Sequence, residues 1–320
     1  MSEVFDALSG QEVPVGGINT GFQKLWADTP AKDSRAVQLN LVLHLGRNTT
    51  PTDALVQFGY TRLFAQRYPC RVVVLCPDHD PQAPAEIRAK IYGECFLGKS
   101  PGDTRCVEFV LLHYTLAARS YLESQVSVCL STDMPLYYWA HRFADVRRLA
   151  DYGYLLTRSK RILFDSAVVP ADAFTYPWPN ITAVRDLAYT RTLPLRQNLG
   201  QFLSRYAPAL INTGLQQVTI RHRTQFAAEA SCLRGWVKKG LTRSGADTGT
   251  IAFEVTPVEC PGCFSMKFTY ADPKKTFSWE ADLSQDHADF TGDLGSGRTT
   301  LVAGAHFLAP ELTLSEAMFF

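Results

Sequence analysis

The chain has 320 residues, of which 46% are hydrophobic and 20% charged, and 32 basic against 31 acidic side chains give a formal net charge of +1. That composition builds globular cores and excludes extended disorder, and the near-neutral balance excludes a nucleic-acid stripe or a polybasic membrane patch. No apolar run approaches the roughly 18 residues of a membrane span. Residues 1–15 lack the basic start and apolar core of an export signal, so a cytoplasmic protein is expected. Eight cysteines are too sparse for a disulfide framework, and most are expected to be reduced.

The length exceeds what one core usually serves, which predicts more than one folding unit. The pattern divides into an arm over 1–35, an α/β domain over 36–208 and an α+β domain over 209–320. In the arm, Phe22, Leu25 and Trp26 can pin a short helix either to the chain's own domain or to a partner. Residues 37–44 read as a strand, followed by a helix capped at Thr52 or Asp53 and running to about Arg67. A nearly all-apolar strand over 71–76 completes a βαβ unit with a right-handed crossover. The runs 89–97 and 105–112 read as a hairpin joined by the turn-rich stretch 98–104. A helix over 116–130, a strand over 134–139, a helix over 147–154 and a buried strand over 161–164 come next. Two helices over 181–189 and 194–206 follow, with Pro194 in the first turn of the second.

Pro208 marks the expected domain boundary. Beyond it come a strand over 217–222, a helix over 226–241 with Ala230, Leu233, Trp236 and Val237 on one stripe, and five strands over 250–258, 264–270, 276–283, 288–294 and 299–304. The fold class is therefore α/β, a mixed and largely parallel sheet with flanking helices, followed by an α+β domain with an antiparallel sheet.

Little of this carries catalytic chemistry. Gly46 and Arg47, after the first strand, lie at the usual ligand edge of a parallel sheet, where a helix N-terminus can hold an anion. A single glycine meets neither dinucleotide nor phosphate-loop spacing, so a plain loop is favoured. Asp133, His141, Asp145, Asp165 and Ser166 include acids, a base and a hydroxyl but form no nucleophile elbow and no HExxH pair, and Asp165 and Ser166 read as a turn cap. Cys260 and Cys263 can form a disulfide or half a zinc site, yet no second ligand pair exists and Pro261-Gly262 reads as a hairpin turn. Cys95 and Cys106 sit near facing ends of the predicted hairpin, where a bridge depends on register. These four cysteines are the redox candidates; no metal and no cofactor is expected. Tyr137 and Trp139 should point to one face of their strand and Tyr138 to the other. The Pro-rich stretch from Phe174 through Tyr176 and Trp178 is hard to bury, and exposed aromatics of this kind anchor interfaces.

The ordered series Leu39-Asn-Leu-Val-Leu43, Pro69-Cys-Arg-Val-Val-Val-Leu75, Cys95 with Arg105-Cys-Val-Glu108, Asp133-Met-Pro-Leu-Tyr-Tyr-Trp139, Lys160-Arg-Ile-Leu-Phe-Asp-Ser166 and Asp186-Leu-Ala-Tyr-Thr-Arg191 with Pro194-Leu-Arg196 resembles the OpcA family of glucose-6-phosphate dehydrogenase assembly proteins. The resemblance runs over about 36–241 and is clearest over 133–199. It implies a non-catalytic partner that binds glucose-6-phosphate dehydrogenase, favours its active oligomer and raises its activity. On that reading Trp139, Tyr176 and Trp178 are partner anchors with Arg191 and Arg196 as polar partners. In cyanobacterial relatives cysteines are linked to thioredoxin control; the family-like cysteines here are Cys95 and Cys106, whereas Cys260 and Cys263 rest on spacing alone. The rival reading is a doubly wound enzyme or binding protein with a sugar phosphate or nucleotide at the loop after His44.

Overall fold

The computed structural model describes residues 3–27, 37–97, 104–260 and 262–320; residues 98–103 of the predicted turn over 98–104, and Pro261, lie outside them. Residues 1–187 with 310–320 form one unit and 188–309 a second.

The first unit is built on an eight-stranded sheet. In chain order it contains α1 (Glu3–Ala7), β1 (Gln11–Val13), α2 (Ile18–Trp26), β2 (Leu39–Leu45), α3 (Pro51–Arg67), β3 (Cys70–Pro77), β4 (Ile87–Leu97), β5 (Thr104–Tyr114), α4 (Arg119–Cys129), β6 (Leu136–His141), α5 (Gly153–Arg158), β7 (Arg161–Phe164) and β8 (Val184–Asp186). The sheet order is β1-β4-β5-β3-β2-β6-β7-β8. The central pairs, β5–β3, β3–β2, β2–β6 and β6–β7, are parallel. Apolar runs make this possible, since every residue of β2 and β6 is buried and a parallel sheet hides both faces under helices.

Alternation divides the side chains between two cores. Leu41, Leu43, Tyr137 and Trp139 join Phe58 and Phe64 of α3 on one face. Val42, Tyr138 and Ala140 join Phe22 of α2 and Leu122 and Val126 of α4 on the other. The split of Tyr137 and Trp139 from Tyr138 follows the period of two along a strand. The helix after β2 is capped at Thr50, two residues before Thr52 and three before Asp53, the caps its sequence suggests. Thr50 Oγ1 accepts from the Asp53 amide at 3.2 Å, and Pro51 occupies the first turn.

The described part of the expected arm packs within this unit. Phe22 and Trp26 are buried, and Trp26 Nε1 donates to Glu108 at 3.0 Å. Gly93 on β4 lets the Trp26 ring lie close against the strand; a Cβ there would sit 2.6 Å from that ring. The buried Lys90 ammonium donates to the carbonyls of Phe5, Asp6 and Leu8 at 2.8, 3.3 and 3.1 Å, which ties α1 down with charge-assisted bonds.

The second unit contains α6 (Leu187–Arg191, entering from the first unit), α7 (Leu193–Leu203), α8 (Pro208–Asn212), β9 (Leu215–His222), α9 (Ala227–Arg243), β10 (Ala252–Pro257), β11 (Cys263–Tyr270), β12 (Thr276–Asp282), β13 (His287–Asp293) and β14 (Thr299–Ala303). Its six-stranded sheet has the order β10-β9-β11-β12-β13-β14. The expected antiparallel sheet is in fact mixed, because α9 returns the chain so that β10 pairs parallel to β9. The boundary precedes Pro208, which merely opens α8. Leu195, Leu199 and Phe202 of α7 pack in the second core with Leu233 and Trp279, so that helix belongs to the second unit. The chain then returns to the first unit through α10 (Pro310–Phe319), whose Leu314, Ala317 and Met318 join the core beneath α3.

Two local predictions change. The helix predicted over 181–189 is a short 3-10 turn, then β8, then α6. The connection after β10 is not a hairpin, since β9 lies between β10 and β11.

Candidate functional site

β2 and β6 are neighbours, but the chain leaves β2 toward β3 on one side and β6 toward β7 on the other. Loops leaving such a switch point separate and open a crevice at the carboxyl ends of the strands. A cleft of about 280 Å³ occupies that place, lined by residues after β2 (Gly46, Arg47), after β6 (Phe143, Asp145) and from the 3-10 segment Val146–Tyr152.

Gly46 lets the two loops meet. Its amide donates to the His141 carbonyl at 2.6 Å, and a Cβ on it would fall 2.1 Å from the Arg142 carbonyl oxygen. Arg142 itself turns through the left-handed region at φ 48°. The side chain of Arg47 donates to the His79 carbonyl, which ties the loop after β2 to the loop after β3. Below these loops His44 is buried between tyrosines. One ring nitrogen lies 2.7 Å from the Tyr138 hydroxyl, the other 2.8 Å from the Tyr114 hydroxyl, and Tyr114 lies 2.6 Å from the Tyr152 hydroxyl. Burial holds the imidazole at about 3, so it is neutral, with one nitrogen donating and one accepting. Burial pushes the Tyr114 and Tyr138 hydroxyls well above the usual phenol range. The result is an unbroken hydrogen-bonded line Tyr138–His44–Tyr114–Tyr152.

A second polar group stands beside it. Asp53 accepts from His141 at 2.8 Å and from Gln57 at 2.9 Å, and it pairs with the Arg142 guanidinium at 2.6 Å. Burial would raise its carboxyl, but the hydrogen bonds from His141 and Gln57 and the nearby charges bring it to about 2. His141 Nδ1 is buried with no hydrogen-bond partner among the described residues.

The sequence-predicted residues do not converge on one place. Trp139 and Trp178 are 3% and 8% exposed and lie in the cores of opposite sheet faces, which removes both from the surface as anchors. Trp178 tucks under its own loop, stacks on Phe164 at 5.9 Å and donates Nε1 to the Ala173 carbonyl at 3.1 Å. Tyr176 packs edge-on against Trp178 and keeps part of its surface. The exposed apolar side chains flanking that loop are Phe174 at 59% and Ile181 at 63%. Arg191 and Arg196 lie in the second unit, where Arg191 pairs with Glu229 at 2.6 Å and Arg196 stacks 3.9 Å over the Tyr189 ring. Asp133 precedes β6 whereas His141 ends it, and Ser166 donates to Asp186 at 2.8 Å. These groups do not form an acid–base–nucleophile set.

Half of the cysteines are bridged, against the expectation of mostly reduced thiols. Cys95 and Cys106 are directly opposed in the β4–β5 register and form one disulfide, and Cys260–Cys263 forms another. Cys70, Cys76 and Cys129 are free and buried, with burial pushing Cys129 to about 11, Cys76 to about 12 and Cys70 higher still. Since thiolate is the reactive form, native alkylation should label the partly exposed Cys232 first and the other three only after unfolding. Equal labelling of Cys76 in the native chain would contradict this burial.

Residues 61–176, from the middle of α3 through β3–β7 to Tyr176, match a family model described as the glucose-6-phosphate dehydrogenase subunit N-terminal domain, OpcA type. Over this segment the chain is similar to the OpcA glucose-6-phosphate dehydrogenase assembly family. The OpcA match includes Cys95, Cys106, Trp139, Phe174 and Tyr176 and stops before Arg191 and Arg196. No curated protein matches the chain. A solved structure described as glucose-6-phosphate 1-dehydrogenase from Mycobacterium avium aligns over 88% of this chain and 86% of its own, at 9% identity and a TM-score of 0.45. Among the described residues no helix is long and apolar enough to cross a membrane, and no cluster of three or more His, Cys, Asp or Glu side chains could hold a metal ion.

Proposed function

We propose that this chain is a non-catalytic assembly factor and allosteric activator of glucose-6-phosphate dehydrogenase, acting in the cytoplasm and supporting the oxidative pentose phosphate pathway. The observation that carries the reading is the OpcA match over 61–176. Activation follows if the chain binds the active oligomer more tightly than the inactive form; a 100:1 preference corresponds to about 2.7 kcal/mol.

The contact surface in the first unit is the loop bearing Phe174, Tyr176 and Ile181, with Trp178 as the buried brace beneath it. Its exposed apolar side chains are the kind that anchor interfaces. In the second unit Arg196 on Tyr189, with Arg191 held by Glu229, offers a cation–aromatic pair to the same partner. Redox control belongs to this reading through Cys95–Cys106, which a thioredoxin dithiol would reduce to two thiols while becoming a disulfide itself.

The test is co-purification of the tagged chain with the dehydrogenase of the same organism. The native chain is expected to retain the enzyme. Phe174→Ser with Ile181→Ser should weaken retention by about tenfold or more while leaving the melting temperature unchanged, because both side chains are exposed. Failure of the native chain to retain the enzyme would remove the proposal; full retention by the double variant would remove this surface.

A further inference from the structure

The cleft at the carboxyl ends of β2 and β6 is left unused by the association with a dehydrogenase, and its chemistry is selective. We infer, independently of the assembly reading, that it is a binding site for a nucleoside monophosphate.

Size sets the first limit. About 280 Å³ lies at the lower end of small-ligand pockets, which suits one nucleotide and excludes a dinucleotide. The walls set the second. Phe143, Leu149 and Tyr152 are apolar or aromatic, and each is less than a tenth exposed. Flat rings stack well on such side chains. A bare sugar phosphate has no flat ring to cover these walls and would place some of its hydroxyls against carbon, at the cost of their hydration.

The rim supplies charge. Arg47, Arg119 and Arg148 line the cleft with Asp145 and Asp151. Asp151 is paired with Arg119 at 2.6 Å, and Asp145 is held by Arg147, which lies outside the lining. Arg47 and Arg148 therefore leave an excess of positive charge at the mouth, matched to a phosphate monoester. The interior adds adaptable polarity. In the line Tyr138–His44–Tyr114–Tyr152, exchanging the His44 tautomer reverses every hydroxyl. Tyr152, one end of that line and part of the cleft wall, can thus meet either a donor or an acceptor on a base edge. His141, whose buried Nδ1 has no partner among the described residues, borders the same space. All of these groups belong to the first unit and sit where open α/β sheets bind ligands.

Isothermal titration of the full chain with 5′-AMP, 5′-GMP, adenosine, ribose 5-phosphate and inorganic phosphate tests the site. The two nucleotides are expected to bind, and adenosine, ribose 5-phosphate and phosphate to bind at least about tenfold more weakly. Arg47→Ala with Arg148→Ala should weaken 5′-AMP by a similar factor in a chain that still melts cooperatively, at a somewhat lower temperature because Arg47 no longer holds the His79 carbonyl. Absence of heat with both nucleotides at millimolar concentration overturns the proposal. Equal binding of ribose 5-phosphate overturns the role of the aromatic walls, and undiminished binding by the double arginine variant overturns this location.

Discussion

Gly46→Ala should destabilise the first unit by about 2–4 kcal/mol, the cost of forcing apart two backbone segments and losing a short amide–carbonyl bond. The clash is with main chain: the new Cβ would meet the Arg142 carbonyl oxygen at 2.1 Å and the His141 carbonyl oxygen at 2.6 Å, and neither is the end of a flexible side chain. Gly59 provides the contrast. It lies in the interior of α3, and a methyl group added there would meet nothing within 4 Å, so Gly59→Ala should stabilise by about 0.5–1 kcal/mol through helix propensity. Amide exchange in β2 reads both effects on the first unit alone, which matters because a chain of two units need not unfold in one step. Equal and small effects of the two substitutions would contradict the close approach of the loops.

Acid should weaken the first unit well above the range in which carboxylates titrate. His44 has an ordinary value of 6.5 and is held at about 3 when folded. Below pH 6.5 the unfolded chain takes up a proton that the folded chain refuses. Stability therefore falls by roughly 1.4 kcal/mol per pH unit as pH drops toward about 3, a few kcal/mol in all. Above pH 6.5 this group contributes no slope. Asp53 acts in a lower window and with the same sign. Its folded value of about 2 lies below the ordinary 3.8, so its contribution is present above 3.8 and is lost as pH falls through about 2. The direct check is the imidazole carbon resonance of His44, expected to keep its neutral position at pH 5. Titration of that resonance near 6.5 would show that the ring is not enclosed by Tyr114 and Tyr138.

The inner strands were legible from the chain because β2, β3 and β7 are apolar runs of strand length between turn residues, features that fit strands buried on both faces. Three elements carried no comparable signal. β1 and β8 have three residues each, too few for alternation to show, and α10 is apolar with no polar face to mark a helical stripe. Trp178 misled for a different reason. Flanking prolines argued for an irregular, exposed loop, yet the Ala173 carbonyl gives its indole a partner inside the fold. The cleft was only half visible. The loop at Gly46 and Arg47 could be placed at a strand end, but Tyr138, Tyr114 and Tyr152 meet His44 through a register that pairs Val42 with Tyr138 and through a 3-10 segment remote in sequence. Cys95–Cys106 depended on the same kind of fact, since the cross-strand register decides whether two facing cysteines coincide.

The central claim, that the first unit belongs to a partner of glucose-6-phosphate dehydrogenase, is met most directly by sedimentation velocity of that enzyme from the same organism, diluted until its oligomer dissociates. With the chain added, the account predicts a faster-sedimenting complex that persists at the dilution where the enzyme alone falls apart, accompanied by higher activity. Unchanged sedimentation of both components across the dilution series, with unchanged activity, would contradict it.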